Sequence, residues 1–75
     1  MSAIPNPAIE QAIVPSNGAV LLSLYNAQGI LMRSIAPNQE EYFVIEKEGL
    51  QSGFYFIALL NEHGTVVGGG NVVFQ

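Results

Sequence analysis

Residues 19–35 read Ala19-Val20-Leu21-Leu22-Ser23-Leu24-Tyr25-Asn26-Ala27-Gln28-Gly29-Ile30-Leu31-Met32-Arg33-Ser34-Ile35. Side chains alternate across an extended backbone, so Val20, Leu22 and Leu24 share one face and Leu21, Ser23 and Tyr25 the other. Asn26-Ala27-Gln28-Gly29 then breaks the apolar run, and Gly29 suits the left-handed position in a hairpin turn. Residues 30–35 return as the partner strand, with Ile30, Met32 and Ser34 on one face and Leu31, Arg33 and Ile35 on the other. The stretch is strand, turn, strand.

The rest of the chain follows the same pattern. Ile4-Pro5-Asn6-Pro7-Ala8 cannot be helical, because each proline fixes its own φ and pushes the preceding residue toward extended geometry. Residues 9–14 read as a short strand closed by Pro15-Ser16-Asn17-Gly18, a dense turn signal. Residues 42–46 form a further strand. Residues 54–60, Phe54-Tyr55-Phe56-Ile57-Ala58-Leu59-Leu60, are apolar on both faces, which places this strand centrally or under a cover. Asn61-Glu62-His63-Gly64 repeats the shape of the first turn. Residues 65–74 form the last strand, interrupted at Gly68-Gly69-Gly70, where a bulge or a close backbone approach is expected. The best helical window, residues 40–48, is rich in Tyr, Phe, Val and Ile and favours a strand instead. The fold expected is all-β: a small antiparallel Ig-like β-sandwich of six to seven short strands, Greek-key in type. Residues 5–75 make the single sandwich, and residues 1–4 are a linker remnant or a cloning start.

The two Asn-x-x-Gly hairpins echo one another. Asn-x-x-Gly is itself a good hairpin turn, and two copies are too few for a repeat architecture.

Composition narrows the function. The chain has 75 residues, 49% hydrophobic and 11% charged, with a net charge of −4 from six Glu against Arg33 and Lys47. Charged residues make up about a quarter of an ordinary globular chain. Low charge with high hydrophobicity is the opposite of a disordered composition. Two scattered cations make no basic stripe for nucleic acid or anionic lipid. With no Cys there are no disulfides and no thiolate metal sites. No apolar run reaches the roughly 18 residues of a membrane helix, so no transmembrane segment is expected. At this size a core is marginal, and a dimer or a parent chain would help it.

Catalytic and cofactor chemistry finds little to work with. A zinc site wants three or four ligands, but His63 has only Glu62 beside it and reads as a solvated turn histidine. No Gly-x-Ser-x-Gly is present for nucleophilic catalysis. Glu40-Glu41 and the Glu46, Glu48 pair lack a cleft that would tune them for acid–base work. Gly68-Gly69-Gly70 has no following Lys-Ser/Thr and no helix, so it is no phosphate loop. The expectation is a protein that is not an enzyme, with no catalytic residues, metal or cofactor.

Several segments together resemble the C-terminal sorting (signal) domain of type IX secretion cargo. Pro5-Asn6-Pro7-Ala8 is similar to that family's opening Pro-Asn-Pro-Ala. The run from Val20 through Tyr25-Asn26 and Gly29 to Leu31 matches its strand, turn glycine and second strand. Leu50-Gln51-Ser52-Gly53-Phe54-Tyr55-Phe56-Ile57 looks like its Leu-x-x-Gly-x-Tyr-x-Ile/Val, and Val72-Val73-Phe74-Gln75 like its short apolar ending. The chain departs from the family where Gly68-Gly69-Gly70-Asn71 stands in place of a Lys or Arg before that ending. Arg33 also falls two residues later than the usual basic position.

The resemblance implies a seven-stranded Ig-like sandwich at the C-terminus of a secreted cargo domain in the same chain. It implies export through the periplasm and the outer-membrane type IX translocon, to a secreted or cell-surface location, with removal by a sortase in many members. On this reading Pro5, Asn6, Pro7, Gly29, Leu50, Gly53, Tyr55, Val72, Val73, Phe74 and Gln75 are the motif-matched positions for translocon recognition. Strand addition at the edge formed by residues 72–75, which carries no charge or proline to block pairing, would serve such recognition.

Two other readings compete. One is a small Ig-like adhesion or accessory module that binds sugar or protein through Tyr25, Tyr42 and Tyr55, although such tyrosines more often pack in or cap a core. The other is a structural subunit assembled through its edges. Self-association in isolation, as a homodimer or a strand-swapped oligomer, is also expected from the apolar edges.

Overall fold

The computed structural model describes residues 10–38 and 41–75. The described residues form six strands: β1 (Gln11–Pro15), β2 (Leu21–Asn26), β3 (Leu31–Ile35), β4 (Tyr42–Glu46), β5 (Gly53–Leu60) and β6 (Val66–Phe74). All pairings are antiparallel, in a two-stranded sheet β1-β4 and a four-stranded sheet β3-β2-β5-β6. The chain crosses between sheets after β1, β3 and β4. With β5 returning beside β2, the path is Greek-key-like.

The core lies between the two sheets. From the small sheet come Ala12, Val14, Phe43 and Ile45, where Ala12 pairs with Ile45 and Val14 with Phe43. From the large sheet come Leu22, Leu24, Tyr55, Ile57, Leu59, Val72 and Phe74, and Ala19 and Leu50 close the ends. The period-2 reading of residues 20–24 therefore holds for Leu22 and Leu24, both buried. Val20 lies ahead of β2 and is exposed. Its amide donates to the Leu60 carbonyl at 2.9 Å, which extends the pairing by one bond. β5 is central, as its two apolar faces require, but its outer residues Phe54 and Phe56 stay exposed.

One correction concerns the last strand. Gly68, Gly69 and Gly70 do not interrupt β6; they pair in register with Leu59, Ala58 and Ile57. The register breaks one residue earlier, where Leu59 pairs with Gly68 but Leu60 with Val66, so Val67 is the extra residue. Close approach explains a glycine here: a Cβ on Gly69 would stand 3.2 Å from the Ile57 carbonyl oxygen.

Arg33 joins the layers. It sits on β3 opposite Leu24, and its guanidinium donates to the Glu46 carbonyl at 2.5 Å and to the Glu48 carbonyl. Glu46 is the last residue of β4 in the other sheet, and Glu48 lies two residues beyond it. The planar fork suits two neighbouring carbonyls in a way one ammonium does not.

The echo between hairpins extends to the whole large sheet. The shift from Asn26 to Asn61 carries Leu22↔Ile35, Ser23↔Ser34, Leu24↔Arg33 and Tyr25↔Leu31 onto Ile57↔Gly70, Ala58↔Gly69, Leu59↔Gly68 and Leu60↔Val66, all of them observed. The extra residues, Met32 and Val67, correspond too. The central β2–β5 ladder is its own image under this exchange: Ser23↔Ala58 maps onto itself and Leu21↔Leu60 onto Tyr25↔Phe56. A pseudo-two-fold axis therefore runs through the sheet between Ser23 and Ala58.

Candidate functional site

The motif-matched residues fall at three places. At the first turn, Asn26 Oδ1 accepts from the Gln28 and Ile30 amides at 2.9 and 3.0 Å. Gly29, at φ 81°, donates to the Asn26 carbonyl. A type I turn followed by a left-handed glycine is one of the common hairpin closures. The second turn copies it: Asn61 Oδ1 accepts from His63 and Thr65, and Gly64 stands at φ 79°. Gly29 thus has a backbone role, as its place in the sequence suggested.

The second place is the run from Leu50 to Tyr55. The Leu50 amide donates to the Lys47 carbonyl at 2.7 Å, and the Leu50 side chain enters the core. Gly53 opens β5 at φ 148°, a conformation that side chains rarely adopt. Tyr55 is buried, and its hydroxyl donates back to the Gln51 carbonyl at 2.5 Å. Its ring meets Phe74 edge-on, with centroids 5.9 Å apart. A tyrosine hydroxyl bonded to backbone just upstream is the device called a tyrosine corner in β-sandwiches. Leu-x-x-Gly-x-Tyr is thereby a folding motif: anchor, backbone twist, corner.

The third place is the end of β6. Val72 and Phe74 point into the core at 0% and 1% exposure, Val73 is half-buried on the other face, and Gln75 is exposed. Among the described residues β6 is an outer strand, paired with β5. Lys47 Nζ donates to the Gln75 main-chain oxygen at 2.7 Å and to Ser52 Oγ at 3.1 Å. Both cations, Arg33 and Lys47, therefore bind backbone oxygens, which charge counting alone does not reveal. Pro5, Asn6 and Pro7 lie outside the described residues.

The structure separates other candidates. Tyr25 is on the outer side of the large sheet, Tyr42 on the outer side of the small one, and Tyr55 in the core, so the three make no common sugar platform. His63 Nε2 lies 3.7 Å from Glu62 Oε1, with both side chains 78% exposed in the turn. Glu46 and Glu48 are exposed and line an open groove with Glu10, Lys47, Leu50 and Gln75. Among the described residues no group of His, Cys, Asp or Glu is placed to hold a metal, and no helix is long and apolar enough to cross a membrane.

A family model described as the secretion system C-terminal sorting domain matches residues 2–69. The chain belongs to that family. The match spans the first turn, the Leu50–Tyr55 motif and the first four residues of β6, while residues 70–75, with the Val72-Val73-Phe74-Gln75 ending, lie beyond it. No curated protein and no solved structure matches the chain. A sorting domain of this family is a type IX secretion signal, which carries an upstream cargo across the outer membrane by way of the type IX machinery.

Proposed function

We propose that this sorting domain acts as a non-catalytic address. It directs a periplasmic cargo, fused ahead of it, through the outer-membrane type IX translocon to the cell surface or the medium, and a sortase then removes it. The observation that carries this reading is the family match over residues 2–69 together with an all-β sandwich whose family motifs build its turns and corner.

Within this reading the motif residues divide by role. Leu50, Gly53, Tyr55, Val72 and Phe74 hold the shape that is read, because their side chains or backbone angles serve the fold. Gly29 and Gln75 lie at the surface and are the contact candidates among the described motif positions, with the half-buried Val73 beside Gln75. An Ig-like relationship accords with the tyrosine corner and the Greek-key-like path.

The test is a fusion of residues 1–75 to a periplasm-targeted reporter, in a bacterium that secretes by the type IX route. The reporter should reach the surface or medium, and should stay in the periplasm of a translocon-deficient strain. A folded, intact fusion retained in the periplasm of the competent strain would refute the proposal.

A further inference from the structure

Among the described residues, the outer face of the four-stranded sheet carries no charge. The residues opposite the core strip come from all four strands, and the large exposed ones are Leu31, Met32, Phe54, Phe56, Val66 and Val67. Phe54 and Phe56 form an edge-on aromatic pair with centroids 5.1 Å apart, and Phe56 is 47% exposed. Among the described residues the charged groups lie elsewhere: Glu10, Glu46, Lys47 and Glu48 around the groove, Glu41 just ahead of β4, Glu62 in the second turn, and Arg33 turned toward β4. Ser23, Ser34, Asn71 and Tyr25 are the polar residues on this face, and the rest of it is apolar. An uncharged, largely apolar face of this kind on a small domain marks an interaction surface.

We propose that this face docks a second copy of the same chain, sheet against sheet, in a two-fold dimer. Two observations favour a copy over another occupant. First, the face has no charge, so two copies meet without like-charge repulsion although each carries a net charge of −4. Second, its area suits a weak dimer. Strands of 5, 6, 8 and 9 residues, at about 3.3 Å per residue and about 4.8 Å between strands, give a face of roughly 440 Å² per copy. Two such faces reach about 900 Å², the range of weak, transient interfaces.

The dimer is distinct from a strand swap, since no strand leaves its sheet. It also does not depend on the sorting reading, because export of a fusion and association of the purified chain are measured separately.

Sedimentation equilibrium of residues 1–75 from micromolar to millimolar concentration tests it. The chain should show a rapid monomer–dimer equilibrium. Phe56→Glu and Leu31→Glu, on different hairpins, should each raise the dissociation constant at least about tenfold, because each buries an unpaired charge. Phe56→Lys should do the same although it reduces the magnitude of the net negative charge. Ile13→Glu, on the outer side of the small sheet, should change it less than about twofold. Far-UV circular dichroism confirms that each variant is folded. A monomer at millimolar concentration would overturn the proposal. So would equal weakening by Ile13→Glu, or a slowly exchanging dimer that tolerates all three face variants, which is the signature of a swap.

Discussion

Removing Val72 to Gln75 should unfold the domain, whatever it does to recognition. The truncation takes two side chains that are 0% and 1% exposed out of the core. It also removes the pairings of Gly53, Phe54 and Tyr55 with β6, the edge contact between Tyr55 and Phe74, and the Lys47 bond to Gln75. A buried valine contributes about 1.5–3 kcal/mol, and losing a buried phenylalanine costs about 3–5 kcal/mol. The two together reach about 5–8 kcal/mol. A chain of 75 residues has about 4–11 kcal/mol of stability in all. Urea titration of residues 1–75 and 1–71, followed by far-UV circular dichroism, should show a cooperative transition for the first and none for the second. A truncated chain whose midpoint lay within about 0.5 M of the full chain's would refute this account of β6. Loss of export on deleting these residues therefore does not by itself identify a contact with the translocon. Gln75→Ala, which leaves the core intact, is the better probe of recognition.

Other substitutions address the remaining devices. Tyr55→Phe keeps the ring against Phe74 and deletes the bond to Gln51, so it should cost about 1 kcal/mol and lower the Tm by about 4–8 °C in calorimetry; an unchanged Tm would show that the corner contributes nothing. Arg33→Lys reaches one carbonyl where the guanidinium reaches two, and because the site is partly solvated the loss should be about 1 kcal/mol by urea titration. Greater stability in the lysine variant would remove Arg33 as the tie between sheets. Gly29→Ala and Gly64→Ala meet no neighbour within 4 Å, so each should cost only the left-handed strain of roughly 1–2 kcal/mol, and equally. A marked difference between them would break the equivalence of the two hairpins.

The strands were legible because period-2 patterning and turn chemistry agreed. The expected strand at 42–46 is β4 to the residue, and the Asn-x-x-Gly turns formed with the bonds their residue types favour. Residues 54–60 announced a central strand through their two apolar faces, yet alternation cannot say whether the second face is covered, and Phe54 and Phe56 are not. At Gly68-Gly69-Gly70 the expected close approach is present, but the expected interruption is not, because a glycine's weakness as a strand former is local and the pairing with Ile57, Ala58 and Leu59 comes from the neighbouring strand. Arg33 and Lys47 were read as charges, but their partners are carbonyls 13 to 28 residues away, which only the crossing between layers brings near. The motif at Leu50, Gly53 and Tyr55 was visible as a pattern, while its physical cause needed the bond from Tyr55 to Gln51.

The matching hairpins also bear on the order of folding. Each closes across a three-residue loop, and hairpins of that kind form in about 1–10 μs. The β2–β5 ladder joins residues such as Asn26 and Tyr55, far apart in sequence, and carries the larger loop-closure entropy. Both hairpins should therefore form and dissolve many times before they meet along β2 and β5. That meeting, at Ser23 and Ala58, should be the slow step that commits the chain to its fold.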